Sequence, residues 1–97
     1  MESGDVTLSD AKSLMREWTS ATFRTRADSI RHHFDIHGAG VGAVNVWQYL
    51  RKAHGFRQHL RGATRSELDE GKVRYTKRKR YLILDVRRKI VSFGTEI

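Results

Sequence analysis

The spacing of apolar residues changes at Gly62, and this change limits the fold more than any other feature of the chain. Before Gly62, apolar residues recur every three or four positions, which is typical of amphipathic helices. After it, short runs rich in Val, Ile, Tyr and Phe are separated by clusters of charge, which is typical of strands joined by tight turns. Helices first and strands last predict an α+β domain, with N-terminal helices packed on a small C-terminal antiparallel sheet.

Three helices are predicted in the first part of the chain. The first starts in the capping-box-like stretch at Thr7 and runs to about Thr19, because apolar residues follow at helical spacing. The second starts near Asp28 or Ser29 and ends at Gly38, which suits the left-handed position after a helix. The third follows Asn45 and runs from 46 to about 60.

Strands are predicted at 72–75, 81–86 and 89–93, and the last two form a hairpin around Arg87 and Arg88 that lacks the usual Gly or Asn. A chain of 97 residues can bury one modest core, so we expect a single domain over residues 7–97. We expect residues 1–6, which precede the first helical pattern, to form a flexible tail.

The charge balance favours a polyanionic partner. The chain has 19 Lys and Arg against 11 Asp and Glu, a net charge of +8, which suits RNA, DNA, an anionic membrane or an acidic protein. It has no cysteine, which excludes disulfides and a thiolate zinc cluster. No apolar run approaches the roughly 20 residues of a spanning helix, so no spanning segment is expected. Among these polyanions we expect RNA and an acidic protein as partners, and no membrane.

The stretch HHFDIHGAGVGA, which begins at His32, is compatible with three chemistries. Its glycines loosely match a dinucleotide loop, but that loop follows a strand, and here a helix is predicted before it. His33 and His37 have the four-residue spacing of a zinc-binding helix without the adjacent glutamate. A third ligand from His54 or His59 would complete a metal site, as in a metal-dependent DNase.

The third chemistry is metal-independent cleavage of RNA, with no cofactor. It needs a base for the 2′-hydroxyl proton, an acid for the leaving oxygen and cations for the phosphate, and His and Arg suit these tasks. His33 and His37 share one helix face, whereas acid and base must approach phosphorus from opposite sides. Purely structural roles for both histidines, or a non-catalytic module that binds nucleic acid through phosphate contacts, remain open.

An ordered string of residues brings a family resemblance. It begins SIxxHFxxHG at Ser29, continues as VGA and QYLRKA, and adds LRGATRS, VRYxK and finally IVSFG at Ile90. Over about residues 28 to 95 the chain resembles C-terminal toxin domains of bacterial polymorphic toxins, such as those of contact-dependent inhibition. Such domains are similar to the ribonuclease superfamily that groups barnase, EndoU, colicin D and RelE. The turn at Arg87 departs from the pattern, with basic residues where a glycine is expected.

The resemblance implies an endoribonuclease toxin that leaves 2′,3′-cyclic phosphate ends, with tRNA as the expected substrate. It implies delivery by a secretion system as part of a larger toxin, action as a monomer in the target-cell cytoplasm, and neutralisation by an acidic cognate immunity protein. It also implies that histidines of the helical part meet sheet residues at the substrate cleft. The catalytic candidates are His33, His37, Ser92 and Thr95, and the candidates for binding substrate phosphate are Arg74, Lys77 and Arg65.

Overall fold

The computed structural model describes residues 8–20 and 24–95, with side chains described from residue 10 onward. In this part of the chain three helices precede a four-stranded antiparallel sheet in the order β1-β2-β3-β4, so the predicted α+β architecture is confirmed. The predicted tail and the predicted cap at Thr7 lie outside the described residues. The elements are α1 (Leu8–Arg16), α2 (Arg26–His37), α3 (Val46–Gln58), β1 (Thr64–Glu67), a 3-10 turn (Asp69–Gly71), β2 (Val73–Lys77), β3 (Arg80–Leu84) and β4 (Ile90–Thr95).

Side-chain caps set the starts of α2 and α3. Asn45 accepts a hydrogen bond from the Gln48 backbone N–H at 2.9 Å, which confirms the predicted start of α3. The start predicted for α2 was two to three residues late, because Thr25 accepts a hydrogen bond from the Asp28 N–H at 3.0 Å and begins the helix at Arg26.

The predicted left-handed glycine at the end of α2 is wrong. Gly38 keeps right-handed helical angles (φ −57°), and the left-handed position falls at Gly42 (φ 80°). A Cβ on Gly38 would lie 2.6 Å from the Phe34 ring. Glycine is therefore needed at residue 38 for close packing rather than for a left-handed backbone.

The C-terminal end of α1 is tied to the start of β4. The helix ends at Arg16, before the predicted end near Thr19, because the next residues pair with a strand: the Ile90 N–H donates to Glu17 O at 2.6 Å and the Thr19 N–H to Ile90 O at 2.9 Å. Trp18 is completely buried. This pairing joins the helical layer to the fourth strand.

The core lies between the helices and one face of the sheet. The ring of Tyr49 in α3 packs at a tilt against those of Trp18 and Phe93, and its hydroxyl donates to the Phe93 carbonyl. Burial is the main cause that raises the pKa of Tyr49 far above its ordinary value, so this phenol remains protonated. The buried hydrophobic residues of this cluster are Leu14, Trp18, Ile30, Val41, Ala43, Tyr49, Leu50, Ala53, Leu82, Leu84, Ile90 and Phe93.

The sheet holds one strand that the sequence patterns do not predict. All residues of β1 are exposed, so the strand lacks the apolar alternation that marks a half-buried strand. The predicted hairpin between β3 and β4 is present. Asp85 stabilises its turn in place of Gly or Asn, because its carboxylate accepts hydrogen bonds from the backbone N–H groups of Arg87 (2.9 Å) and Lys89 (2.8 Å).

Candidate active site

The last turn of α2 meets β3 and β4 through a set of polar side chains. Nε2 of His37 lies 3.3 Å from the Tyr81 hydroxyl, and that hydroxyl lies 3.1 Å from Oγ of Ser92. The guanidinium of Arg74 sits 4.5 Å from the centre of the Tyr81 ring, which is a cation–π distance. We call His37, Arg74, Tyr81 and Ser92 the polar cluster.

Strand register explains why three members of the polar cluster meet. Arg74 pairs with Ile83, Ile83 pairs with Ser92, and Tyr81 pairs with Gly94 on the neighbouring strand. Residues that pair across strands, or that lie two apart along one strand, point to the same face of a sheet. Arg74, Tyr81 and Ser92 therefore project from the face opposite the core residue Leu82.

Gly94 allows the helix and the sheet to approach closely at this point. A Cβ on Gly94 would lie 2.8 Å from Nδ1 of His37 and 3.0 Å from Cε2 of Tyr81. The imidazole and the phenol ring thus pack directly over the backbone of β4, with their planes nearly perpendicular at 86°. A glycine inside a strand often marks such a close approach.

His33 holds α2 against the edge of the sheet. Its Nε2 lies 2.9 Å from the carbonyl oxygen of Val91, and since a carbonyl only accepts, Nε2 carries the hydrogen. Burial, aided by repulsion from His37 and His32, lowers the pKa of His33 from 6.5 to about 4. His33 is therefore neutral at physiological pH and bonded to the backbone of β4.

His37 is less buried than His33 and contacts the face of the sheet that is opposite the core. Burial first, and the nearby His32 second, lower the pKa of His37 below its ordinary value. The two imidazoles have centroids 6.0 Å apart, so the predicted common face of His33 and His37 is observed. A neutral imidazole next to a hydroxyl and a guanidinium can accept a proton while the guanidinium binds an anion.

The other predicted site residues lie apart from the polar cluster. Thr95 follows Gly94 on β4, so its side chain points to the opposite face of the sheet, where it packs on Gly40. Lys77 donates from Nζ to the carbonyls of His59 (3.1 Å) and Arg61 (2.8 Å) just beyond α3. Arg65 pairs with Tyr75 on the core-facing side of the exposed strand β1.

Tyr81 and Gly94 are the site residues that the sequence interpretation did not assign to the site. Tyr81 stands in a run of apolar residues and is expected there as a strand residue. Gly94 belongs to the IVSFG string, and a glycine within a strand pattern is the one signal that indicates a close approach. Nothing in one sequence indicates which face of the sheet a helix end reaches.

The histidines considered as metal ligands have other contacts. Nδ1 of His54 lies 2.6 Å from the Glu17 carboxylate, which links α3 to the segment after α1. Nδ1 of His59 lies 2.8 Å from the Gly55 carbonyl. Over residues 8–20 and 24–95, no group of three His, Cys, Asp or Glu side chains is arranged to hold a metal ion.

Comparison of the chain with protein-family models, with curated proteins and with solved structures found no match in any of the three. Within the part of the chain that the structure describes, no helix combines the length and the apolar character needed to span a bilayer.

Proposed function

We propose that the chain is a metal-independent endoribonuclease and that the polar cluster is its reaction centre. The observation that carries this proposal is the contact between a neutral histidine, His37, and the Tyr81 hydroxyl, with Arg74 at the same ring. These groups supply a proton acceptor, a hydrogen-bond donor and a permanent positive charge on one surface. Cleavage of RNA by attack of its own 2′-oxygen needs these three functions.

In the proposed reaction His37 takes the proton of the 2′-hydroxyl group. The 2′-oxygen then bonds to phosphorus, the bond from phosphorus to the 5′-oxygen breaks, and solvent protonates the departing 5′-oxygen. The products are a 2′,3′-cyclic phosphate and a 5′-hydroxyl. The lowered pKa of His37 keeps the imidazole neutral at physiological pH, which is the form that a general base requires.

Arg74 and Tyr81 stabilise the charge that develops on the phosphate. The guanidinium offers a planar fork of donors that matches two phosphate oxygens. The Tyr81 hydroxyl lies between Nε2 of His37 and Oγ of Ser92. In the proposed complex Ser92 donates to the phenol oxygen, and the phenol O–H turns from Nε2 of His37 to a phosphate oxygen, which leaves Nε2 free to take the proton. Charge stabilisation by preoriented groups is often the largest single contribution to catalysis.

His33 acts as a positioning residue in this proposal. Its hydrogen bond to the Val91 carbonyl holds α2 beside β4, and its ring lies one helical turn from that of His37. A pKa of about 4 keeps it from donating a proton at physiological pH. In this proposal His37 takes the proton, and His33 holds the helix that carries His37 in position.

The family resemblance extends the proposal to the biological setting. It supports tRNA as the substrate, delivery into a competing cell as part of a larger toxin, and an acidic immunity protein in the producing cell. The net charge of +8 suits both polyanionic partners. Opposite charges on such a toxin and its inhibitor would speed their association and make it sensitive to salt.

Incubation of the purified protein with total bacterial RNA, with and without EDTA, tests the proposal. We expect discrete fragments that are unaffected by EDTA and absent for His37→Ala. His54→Gln is the matched control, because it also removes a histidine and its contact with Glu17 but leaves the polar cluster intact. Intact RNA with the folded wild-type protein would reject the enzyme, and equal activity of His37→Ala and wild type would reject the assigned centre.

A further inference from the structure

The turn between β2 and β3 contains two cationic residues in an unfavourable backbone conformation. Arg78 (φ 53°) and Lys79 (φ 67°) are both left-handed, and they lie between the paired residues Lys77 and Arg80. A two-residue hairpin turn of this kind strongly favours Asn-Gly, because left-handed angles are strained for residues with longer side chains. The chain therefore carries two exposed cations where a more stable turn sequence exists.

We call Arg78 and Lys79 the basic turn. It borders a cleft of about 450 Å³ between α3 and the β2–β3 hairpin, which we call the basic cleft. Within the described part of the chain, no carboxylate lines this cleft. Its lining residues are Lys52, Gly55, Phe56, His59, Lys77, Arg78 and Arg80.

The cations of the basic cleft differ in what they already contact. The ammonium of Lys77 donates hydrogen bonds to the carbonyls of His59 and Arg61, so it stabilises the backbone just beyond α3. Arg78 and Lys79 are exposed at the tip of the hairpin. Strained residues cluster at binding sites, and here two exposed cations in a strained turn adjoin a cleft that is lined by further cations, a combination that suits an anion.

We propose that the basic turn and the basic cleft bind the phosphate backbone of the RNA substrate beyond the bond that is cut. Arg80 lines the cleft and Tyr81 follows it on the other face of the same strand, so the cleft and the polar cluster lie on opposite faces of the sheet, close to the end where the basic turn joins β2 to β3. A strand of RNA that passes around this end of the sheet reaches both. The identification of the polyanion as RNA rests on the proposed function.

RNA fits the cleft better than an acidic protein does. Phe56 lines the cleft with its ring packed on Phe93, at a centroid distance of 5.7 Å. An aromatic side chain beside cations is the combination that holds single-stranded nucleic acid, because bases pack on the ring while phosphates pair with the charges.

Two double variants with the same chemistry test the proposal. Arg78→Asn with Lys79→Gly replaces the basic turn, and Arg87→Asn with Arg88→Gly makes the same replacement at the β3–β4 turn, at the other end of the sheet. Each removes two cations. The first relieves two left-handed residues, and the second relieves one, Arg88 with φ 64°. The measurements are the thermal midpoint and the affinity for a 2′-O-methyl oligoribonucleotide, which cannot be cut through its 2′-oxygen, at several salt concentrations.

We expect the variant of the basic turn to melt about 4–8 °C higher than wild type and to bind the oligonucleotide about tenfold more weakly. Its salt dependence should fall by about 1.4 in the slope of log affinity against log salt, for two lost contacts to a single strand. The control variant should keep wild-type affinity to within about threefold.

Equal loss of affinity in the two variants would reduce the effect to net charge and overturn the proposal. Unchanged affinity in the variant of the basic turn would also overturn the proposal. That result would favour an acidic protein as the partner of Arg78 and Lys79. Because the probe is not cleaved, the expected binding pattern in a protein without RNase activity would reject the proposed function while supporting this RNA-binding surface.

Discussion

Gly94→Ala should disable the reaction centre while the fold survives. The added Cβ would lie 2.8 Å from Nδ1 and 2.9 Å from Cγ of His37, and 3.0 Å from Cε2 of Tyr81. Nonbonded heavy atoms need about 3.5 Å, so the imidazole must move by about 0.7 Å. A displacement of about 1 Å at a reacting group can cost about 100-fold in rate, so we expect kcat to fall by about 10- to 100-fold.

The same overlap has a cost in stability. Adding a methyl group to a filled site typically costs about 1–3 kcal/mol, so the free energy of unfolding in urea should fall by that amount. Gly55→Ala is the control for stability, because a Cβ there meets no atom within 4 Å, and alanine stabilises a helix interior by about 0.5–1 kcal/mol over glycine.

A double-mutant cycle isolates the contact between Gly94 and His37. In a His37→Ala background the imidazole is gone, so the further change Gly94→Ala should cost about 1 kcal/mol less than it does in wild type. A Gly94→Ala protein that keeps wild-type kcat would refute the claim that the close approach positions the reaction centre. Simple additivity of the two changes would refute the packing argument itself.

Two further predictions concern the neighbours of His37. Tyr81→Phe removes the hydroxyl between His37 and Ser92 but keeps the ring beneath Arg74, so kcat on RNA should fall by at least about tenfold with little change in the thermal midpoint. His33 has its pKa lowered to about 4, so the unfolded chain binds more protons between pH 6.5 and that value. The stability present above about pH 6.5 should fall by roughly 1–2 kcal/mol as the pH drops to about 4 because of His33, once solvent screening is allowed for. Urea titrations of His33→Gln should show a shallower fall, with the contribution of His37 remaining.

Local patterns in the sequence are sufficient to predict the helices and most of the sheet. Asn45 followed by Gln48 predicts the start of α3, and both side chains make capping hydrogen bonds, from the Gln48 N–H to Asn45 and from the Val44 N–H to Gln48. The strand β1 was not predicted, because an exposed edge strand needs no apolar alternation. The end of α1 was predicted too late in the chain, because the pairing of Trp18 with Ile90 depends on a strand more than 70 residues away.

The candidate site is predictable only where it depends on spacing along one helix. The interval of four residues predicts that His33 and His37 share a face, and their rings do lie together. Which side chains of the sheet they meet depends on strand register and on the placement of α2 against the edge of β4. For this reason Tyr81, which looks like an ordinary strand residue in the sequence, lies beside His37, whereas Lys77 and Arg65 lie on the other face.

The most direct test of the account is cleavage of a tRNA-derived oligoribonucleotide that carries a single 2′-deoxynucleotide on the 5′ side of the bond that is cut. We predict that the all-ribose strand yields a 2′,3′-cyclic phosphate end by mass spectrometry, and that the 2′-deoxy strand stays intact at that bond. Cleavage of both strands at the same rate would contradict it, because attack by the 2′-oxygen, with His37 as its base, would then have no part in the reaction.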